Sequence, residues 1–344
     1  MTRCQDGLPL ELELSSYGVS AQTLAGKAVL LEIGAKLGLV EPLLSQKEVS
    51  IAEMAINSGF QESLLYSYYS ALTHAGLARA CPTISNGTTY FSASSDLHKS
   101  INDVGYILWG VMSCAPLISN ASSFFQDFTS SVQTYVRDGE HVARTSKWMG
   151  ELDFYPQAER AIISAQPKKI VDLGAGTCGL LIRCLKKLPD AQGVGIDINS
   201  SACSKARSII KEAKLDDRLS VIEASIQSLI ENPAALEGAD IIHAGFVFHD
   251  LMPDEEEALN TLLKTFCEKA PNGMLVVVDA VPYGQNSEEQ AFSAAFTFLH
   301  NHFMGRQLLT EDKWKTKLSS AGYNVIEVDR LGISGGRIFT AQIA

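Results

Sequence analysis

The stretch that most constrains this chain is Lys169-Ile170-Val171-Asp172-Leu173-Gly174-Ala175-Gly176-Thr177-Cys178-Gly179-Leu180-Leu181. Ile170, Val171 and Leu173 form the apolar run expected of a central parallel strand. Gly174 and Gly176 permit a tight turn and let a ligand approach the main chain. A helix from about Gly179 to Leu188 then aims its N-terminus at that ligand. The spacing of Gly174, Gly176 and Gly179 is a turn that several nucleotide-binding folds share. Asp172, two positions before the first glycine, is placed to take charge from an amino-acid-like ligand. Asp197 closes the next strand, Gly193-Val194-Gly195-Ile196, and suits a ribose diol.

From Lys168 onward strands and helices alternate, the mark of a parallel sheet. Strands are expected over 170–173, 193–197, 219–223, 241–247 and 274–280, with helices over 201–213, 255–270, 288–304 and 310–321. Two last strands, 324–328 and 337–343, flank the short loop 332–336 and should pair as an antiparallel hairpin. The expected fold is α/β, a Rossmann-like seven-stranded sheet with an antiparallel C-terminal strand. That closure resembles the S-adenosylmethionine (SAM) variant of the fold rather than the dinucleotide one.

Upstream, an apolar helical period runs from Ser20 to about Leu44 with a stop at Gly38. Ser50 and Glu53 are spaced as a capping box for a short helix. A second helix spans 62–74, and strands at 77–81 and 88–91 enclose Asn86-Gly87. Helix, helix, hairpin is a winged-helix order. Residues 1–100 hold nine acidic and six basic side chains, and the 62–74 helix has no Lys or Arg. Phosphate neutralisation is therefore missing, and the region reads as a dimerisation module. Helices at 101–112, 117–137 and 146–165 follow and can roof a ligand cleft. The expected division is 1–100 winged-helix domain, 101–165 helical lid and 166–344 SAM-binding domain.

A net charge of −11 argues against nucleic-acid or anionic-membrane partners. No apolar run is long enough to span a bilayer, and no signal-peptide pattern is visible. Seven scattered cysteines without a C-x-x-C pair fit reduced thiols in a cytoplasm, not a disulfide framework.

With Val171-Asp172-Leu173-Gly174-Ala175-Gly176, Gly195-Ile196-Asp197, Phe248-His249-Asp250-Leu251 and the winged module, the chain resembles the class I SAM-dependent methyltransferases. Within them it resembles the O-methyltransferase family with an N-terminal winged dimerisation domain. The resemblance implies SAM held by Asp172, Gly174, Gly176, Asp197 and Ile198, with Ser225 and Ile226 facing the adenine. It also implies a homodimer, and His249 as general base in a His-Asp pair. The Ala291 to Met304 helix, with Phe298-Leu299-His300-Asn301-His302, is similar to a smaller branch, the metal-dependent α-keto acid C-methyltransferases. Such an enzyme methylates the β-carbon of 2-oxo acids, in secondary metabolism that makes non-proteinogenic amino acids.

Two imidazoles plus substrate oxygens make a metal site with open positions, for iron or zinc. His249 supplies one. Phe292, Phe296, Leu299 and Phe303 form the apolar stripe of the late helix. His300 and His302 flank it on opposite sides, so the cleft can take one of them and not both; His300 is preferred, His302 is the alternative, and the remaining reading leaves both on the helix surface. Arg137 and Trp109 suit a 2-oxo acid as cation and aromatic, although Arg137 equally fits a helix-end residue paired with Asp138. Asp250 is either the base or the carboxylate that orients His249. Asp103, Asp127, Glu151 and Asp153 fit solvated faces first, and second a cationic tail such as that of 2-oxoarginine. Two rival readings are metal-free O-methylation of a phenolic or hydroxylated metabolite with His249 as base, and a silent winged-helix sensor.

Overall fold

The computed structural model of the protein describes residues 20–81, 89–284 and 287–344. The expected irregular opening, Cys4 and the Asn86-Gly87 loop lie outside the described residues. The chain divides into two compact units, Met1–Val104 and Gly105–Ala344.

In the first unit, helix Ala21–Leu37 is capped by Ser20 and ends at Gly38, whose left-handed φ of 69° suits glycine. Residues 41–45 form a separate short helix. Strand β1 (Val49–Ser50) precedes helix Ile51–Ser58, where the Ser50 hydroxyl accepts the Glu53 N–H at 3.3 Å. After helix Glu62–His74 come β2 (Ala78–Ala80) and β3 (Tyr90–Ala93). The sheet order is β1-β3-β2, all antiparallel. β1 was not foreseen, because two residues carry no periodicity. Tyr69 fastens this unit: its ring stacks on Phe91 and its hydroxyl donates to the Leu39 carbonyl at 2.8 Å.

The second unit holds a seven-stranded sheet. Its strands are β4 (Lys169–Leu173), β5 (Gln192–Asp197), β6 (Leu219–Glu223), β7 (Ile241–Gly245), β8 (Met274–Ala280), β9 (Tyr323–Arg330) and β10 (Gly336–Ile343). The order is β6-β5-β4-β7-β8-β10-β9. The first five strands are parallel, and β10 lies antiparallel between β8 and β9. Alternate residues of one strand enter two cores: in β8, Val276 and Val278 face one apolar layer, Leu275 and Val277 the other. A strand buried on both faces has to read as a continuous apolar run. The strand order reverses beside β4, so the crevice opens at the carboxyl ends of β4, β5 and β7.

The roof departs from expectation. Instead of one helix over 117–137 there are Ala115–Ile118, Ala121–Gln126 and Phe128–Thr134. Asp127 breaks the run by capping the last piece, accepting the Ser130 N–H at 3.1 Å. The expected 146–165 helix is two, Gly139–Asp153 and Tyr155–Ser164, because Pro156 favours a new first turn. The helix expected over 101–112 gives way at Leu108 to a π-helical turn, Trp109–Ser113. Among the described residues no helix is long and apolar enough to cross a membrane. The six described cysteines are unpaired thiols.

Candidate active site

β4 ends in the glycine turn. Gly174 and Gly176 have φ of 68° and 54°, where an L side chain is strained. A Cβ at Gly174 would press on Val247 at 3.1 Å, whereas the space above Gly176 is open. Asp197 holds the turn: one carboxylate oxygen accepts the Gly176 N–H at 2.7 Å, the other the Asn199 N–H at 2.8 Å. Each oxygen keeps lone pairs for a diol. Ile198 beside it is exposed, and Ser225 caps the turn Ile226–Ile230 by accepting the Ser228 N–H at 3.3 Å.

Asp172 is buried, and its carboxylate meets Nδ1 of His243 at 2.6 Å. The two residues lie opposite each other on β4 and β7. His243 was missed in the sequence; the available signal was a lone imidazole inside the apolar strand Ile241-Ile242-His243-Ala244.

His249 sits on the short 3-10 turn Phe248–Leu251 that follows β7. Its Nδ1 is 2.6 Å from the Asp279 carboxylate, and Asp279 is fully buried near the end of β8. The same Asp279 oxygen accepts the Ala280 N–H at 2.8 Å. Asp279, not Asp250, therefore orients the ring. Burial by itself pulls the His249 pKa down, but Asp279 and Asp250 outweigh it, and the net shift is upward. Asp250 stands on the other side, half-exposed, 3.9 Å from His249 Nε2.

Helix Ser287–Phe303 brings His300 to this point and leaves His302 outside against Phe298. His300 is fully buried. Its ring lies 5.1 Å from that of His249 at 86°. Nδ1 of His300 donates to the Phe296 carbonyl at 2.7 Å, so Nε2 carries the bare lone pair. That buried nitrogen has no hydrogen-bond partner among the described residues. Desolvation, then the charges of His249 and Arg137, hold the His300 pKa well below its usual value. The shift favours the neutral imidazole.

Two rings ligating one ion through nitrogens at ~2.1 Å have centroids roughly 4.5–5.3 Å apart. The observed separation, the bare Nε2 and the Asp279-His249 hydrogen bond all fit a two-histidine metal seat. Among the described residues there is no cluster of three His, Cys, Asp or Glu suited to a metal. Any further donors would have to come from substrate or solvent.

Trp109 covers this pair, stacked on Phe296 at 4.9 Å and parallel to His300 at 6.0 Å. Phe154 and Phe246 add a second aromatic wall, their rings 5.0 Å apart. Arg137 is not at a helix end. The helix before it stops at Thr134, and Asp138 caps the next one by accepting the His141 N–H at 3.0 Å. Arg137 instead approaches Asp250 at 4.0 Å. The four roof carboxylates are engaged elsewhere: Asp103 with Lys99, Asp127 as a cap, Glu151 with Arg183, and Asp153 with the Tyr106 hydroxyl. A surface groove of about 580 Å³ between helices Glu256–Lys269 and Glu311–Ser320 has no imidazole, and its Lys317 is tied to Glu256.

Residues 165–322 match a protein family described as "Methyltransferase domain". The chain is 27% identical over 134 residues to an indolepyruvate C-methyltransferase of Streptomyces griseus, a match covering 38% of this chain and 39% of that protein. It is 22% identical over 301 residues to a phenazine O-methyltransferase of Lysobacter antibioticus, covering 85% of this chain and 80% of that one. Human N-acetylserotonin methyltransferase, solved in complex with SAM, shares the fold with a TM-score of 0.56 at 14% identity, over 96% of this chain and 100% of that one.

Proposed function

From a chain that carries a SAM-dependent methyltransferase domain, we propose a C-methyltransferase that methylates the β-carbon of an aromatic 2-oxo acid. The observation that carries this reading is the bare, buried Nε2 of His300, on a ring 5.1 Å from that of His249. A metal-free O-methyltransferase needs one imidazole base; a second imidazole whose Nε2 has no partner among the described residues is costly to bury without a ligand. The partial similarity to an enzyme named for indolepyruvate C-methylation supports the same direction.

In this reading His249 and His300 would hold iron or zinc. A metal bound there lowers the pKa of the acceptor's β-carbon proton by drawing charge onto its keto oxygen. Asp279 fixes the His249 tautomer so that Nε2 points to the crevice. Trp109, Phe154, Phe246 and Phe296 enclose the aromatic ring of the acceptor and exclude water. Arg137 takes the acceptor's carboxylate. Asp250, or a water it holds, accepts the β-carbon proton. The β-carbon then forms its new bond to the sulfonium methyl, the carbon–sulfur bond breaks, and S-adenosylhomocysteine departs. Asp172 and Asp197, with the Gly174–Gly176 turn, hold the donor in line. Ser225, Ile226 and Ile198 border its adenine. An aromatic tail replaces the 2-oxoarginine preference, because the roof carboxylates are spent.

The second reading is O-methylation of a phenolic or hydroxylated metabolite. The Asp279-His249 pair favours it, since an oriented imidazole with a raised pKa is a competent base. Incubation with SAM and a panel of aromatic 2-oxo acids, 2-oxoarginine and phenols decides between them. A methyl on the β-carbon supports the proposal; a methyl on oxygen overturns it.

A second copy of the chain is proposed as partner. Val29, Ile33 and Leu37 form one stripe of helix Ala21–Leu37 and are 60%, 42% and 47% exposed.

A further inference from the structure

Most buried or half-buried arginines of the second unit are spent. Arg183 holds Glu159 at 2.9 Å and Glu151 at 2.7 Å. Arg218 donates to the carbonyls of Leu185, Leu188 and Ala191. Arg337 donates to the Gly336 carbonyl and lies beside Glu289 and Glu311.

Arg137 and Arg306 differ. Among the described residues neither guanidinium makes a hydrogen bond, and the ion pair of each is with Oδ1 of Asp250, at 4.0 and 3.9 Å. Those distances are beyond hydrogen-bond range. The side chains are 23% and 33% exposed, so much of their hydration is already lost. His249 Nε2 approaches the same oxygen at 3.9 Å. One carboxylate thus faces two guanidinium forks and an imidazole, without satisfying any of them.

Arg306 reaches this place for a local reason. Helix Ser287–Phe303 ends, Gly305 turns the chain with φ of 65°, and the Arg306 N–H donates to the His300 carbonyl at 2.8 Å. The backbone of His300 therefore pins Arg306 while its side chain reaches toward Asp250. The Arg306 charge is also close enough to disfavour protonation of His300.

We propose that Arg306 is the second jaw of a two-arginine seat, shared with Arg137, that selects acceptors bearing a carboxylate; this deepens the 2-oxo acid reading and rests on it for the substrate class. Two forks in this arrangement bind one carboxylate with bidentate, charge-assisted hydrogen bonds. The entering carboxylate replaces Asp250 between the arginines and frees Asp250 for the β-carbon proton. A neutral phenol or ketone leaves both guanidiniums unpaired in a half-dry crevice, and the site rejects it.

The test uses the full chain saturated with S-adenosylhomocysteine. Phenylpyruvate and its neutral relative phenylacetone are titrated calorimetrically. The wild type should bind phenylpyruvate at least roughly tenfold more tightly than phenylacetone. Arg306→Gln should weaken phenylpyruvate roughly ten- to hundredfold, leave phenylacetone and S-adenosylhomocysteine within about twofold, and so show an intact fold. Arg306→Lys, which keeps the charge and loses the fork, should fall between. Unchanged phenylpyruvate affinity in Arg306→Gln overturns the proposal, as does a proportional loss of all three ligands or no binding of phenylpyruvate to the wild type. Methylation is read separately. Arg306-dependent binding without a C-methyl product defeats the proposed reaction and leaves the seat standing. β-Methylation with the same KM in wild type and Arg306→Gln does the reverse.

Discussion

Asp279 places a carboxylate oxygen 2.6 Å from Nδ1 of His249, and the aspartate is fully buried. One hydrogen bond across neighbouring loop and strand thus decides which nitrogen of His249 faces the crevice. Replacing Asp279 with Asn keeps the shape but removes the charge. Activity should fall about 10–100-fold while SAM affinity stays within about twofold. Steady-state rates and SAM titration on the same preparation check this; near-normal activity would remove Asp279 from the site.

The pH dependence of stability should expose His300. Its folded pKa lies well below the usual value, chiefly through desolvation. Below about pH 6.5 the unfolded chain gains a proton that the folded chain refuses, so His300 costs up to ~1.4 kcal/mol of stability per pH unit until the folded pKa is reached. His249 acts oppositely: its raised pKa adds stability that is full below the unfolded value and lost as pH climbs through the folded one. His300→Gln should therefore change its stability relative to wild type in proportion to pH between about 6.5 and 5.5. Urea titrations at both pH values that give the same difference would contradict the neutral, buried imidazole.

His243 donates to a buried carboxylate beneath the glycine turn. His243→Leu removes the donor and leaves Asp172 unpaired. The expected cost is about 2–4 kcal/mol of unfolding free energy, together with weaker SAM binding. Denaturant unfolding with parallel SAM titration reads both quantities. Full stability in the variant would mean that Asp172 needs no partner.

The exposed stripe of helix Ala21–Leu37 predicts self-association. Ile33→Glu, at its centre, should convert a dimer into a monomer in size-exclusion chromatography with light scattering at micromolar concentration, with helix content unchanged by circular dichroism. An unchanged elution mass would leave the stripe without that role.

The sequence by itself determined the elements whose cause is local. Ile170 to Leu173, followed by Gly174 and Gly176, dictates strand, turn and helix because apolar period and left-handed glycines act within a dozen residues. The alternation after Lys168 dictated the parallel sheet and its antiparallel hairpin in the same way. What only the tertiary structure decided is which distant groups meet. His300 rather than His302 turns inward because Trp109 and Phe296 pack against its ring. Asp279 and His243 join the site 30 and 71 residues from their partners, the first across a loop and a strand, the second across a strand register. Arg137 left its expected helix because Asp138 caps the next one, and Arg306 arrived through one turn after His300. Period and spacing describe a residue's own element; burial, charge pairing and tautomer depend on the neighbour that the fold brings to it.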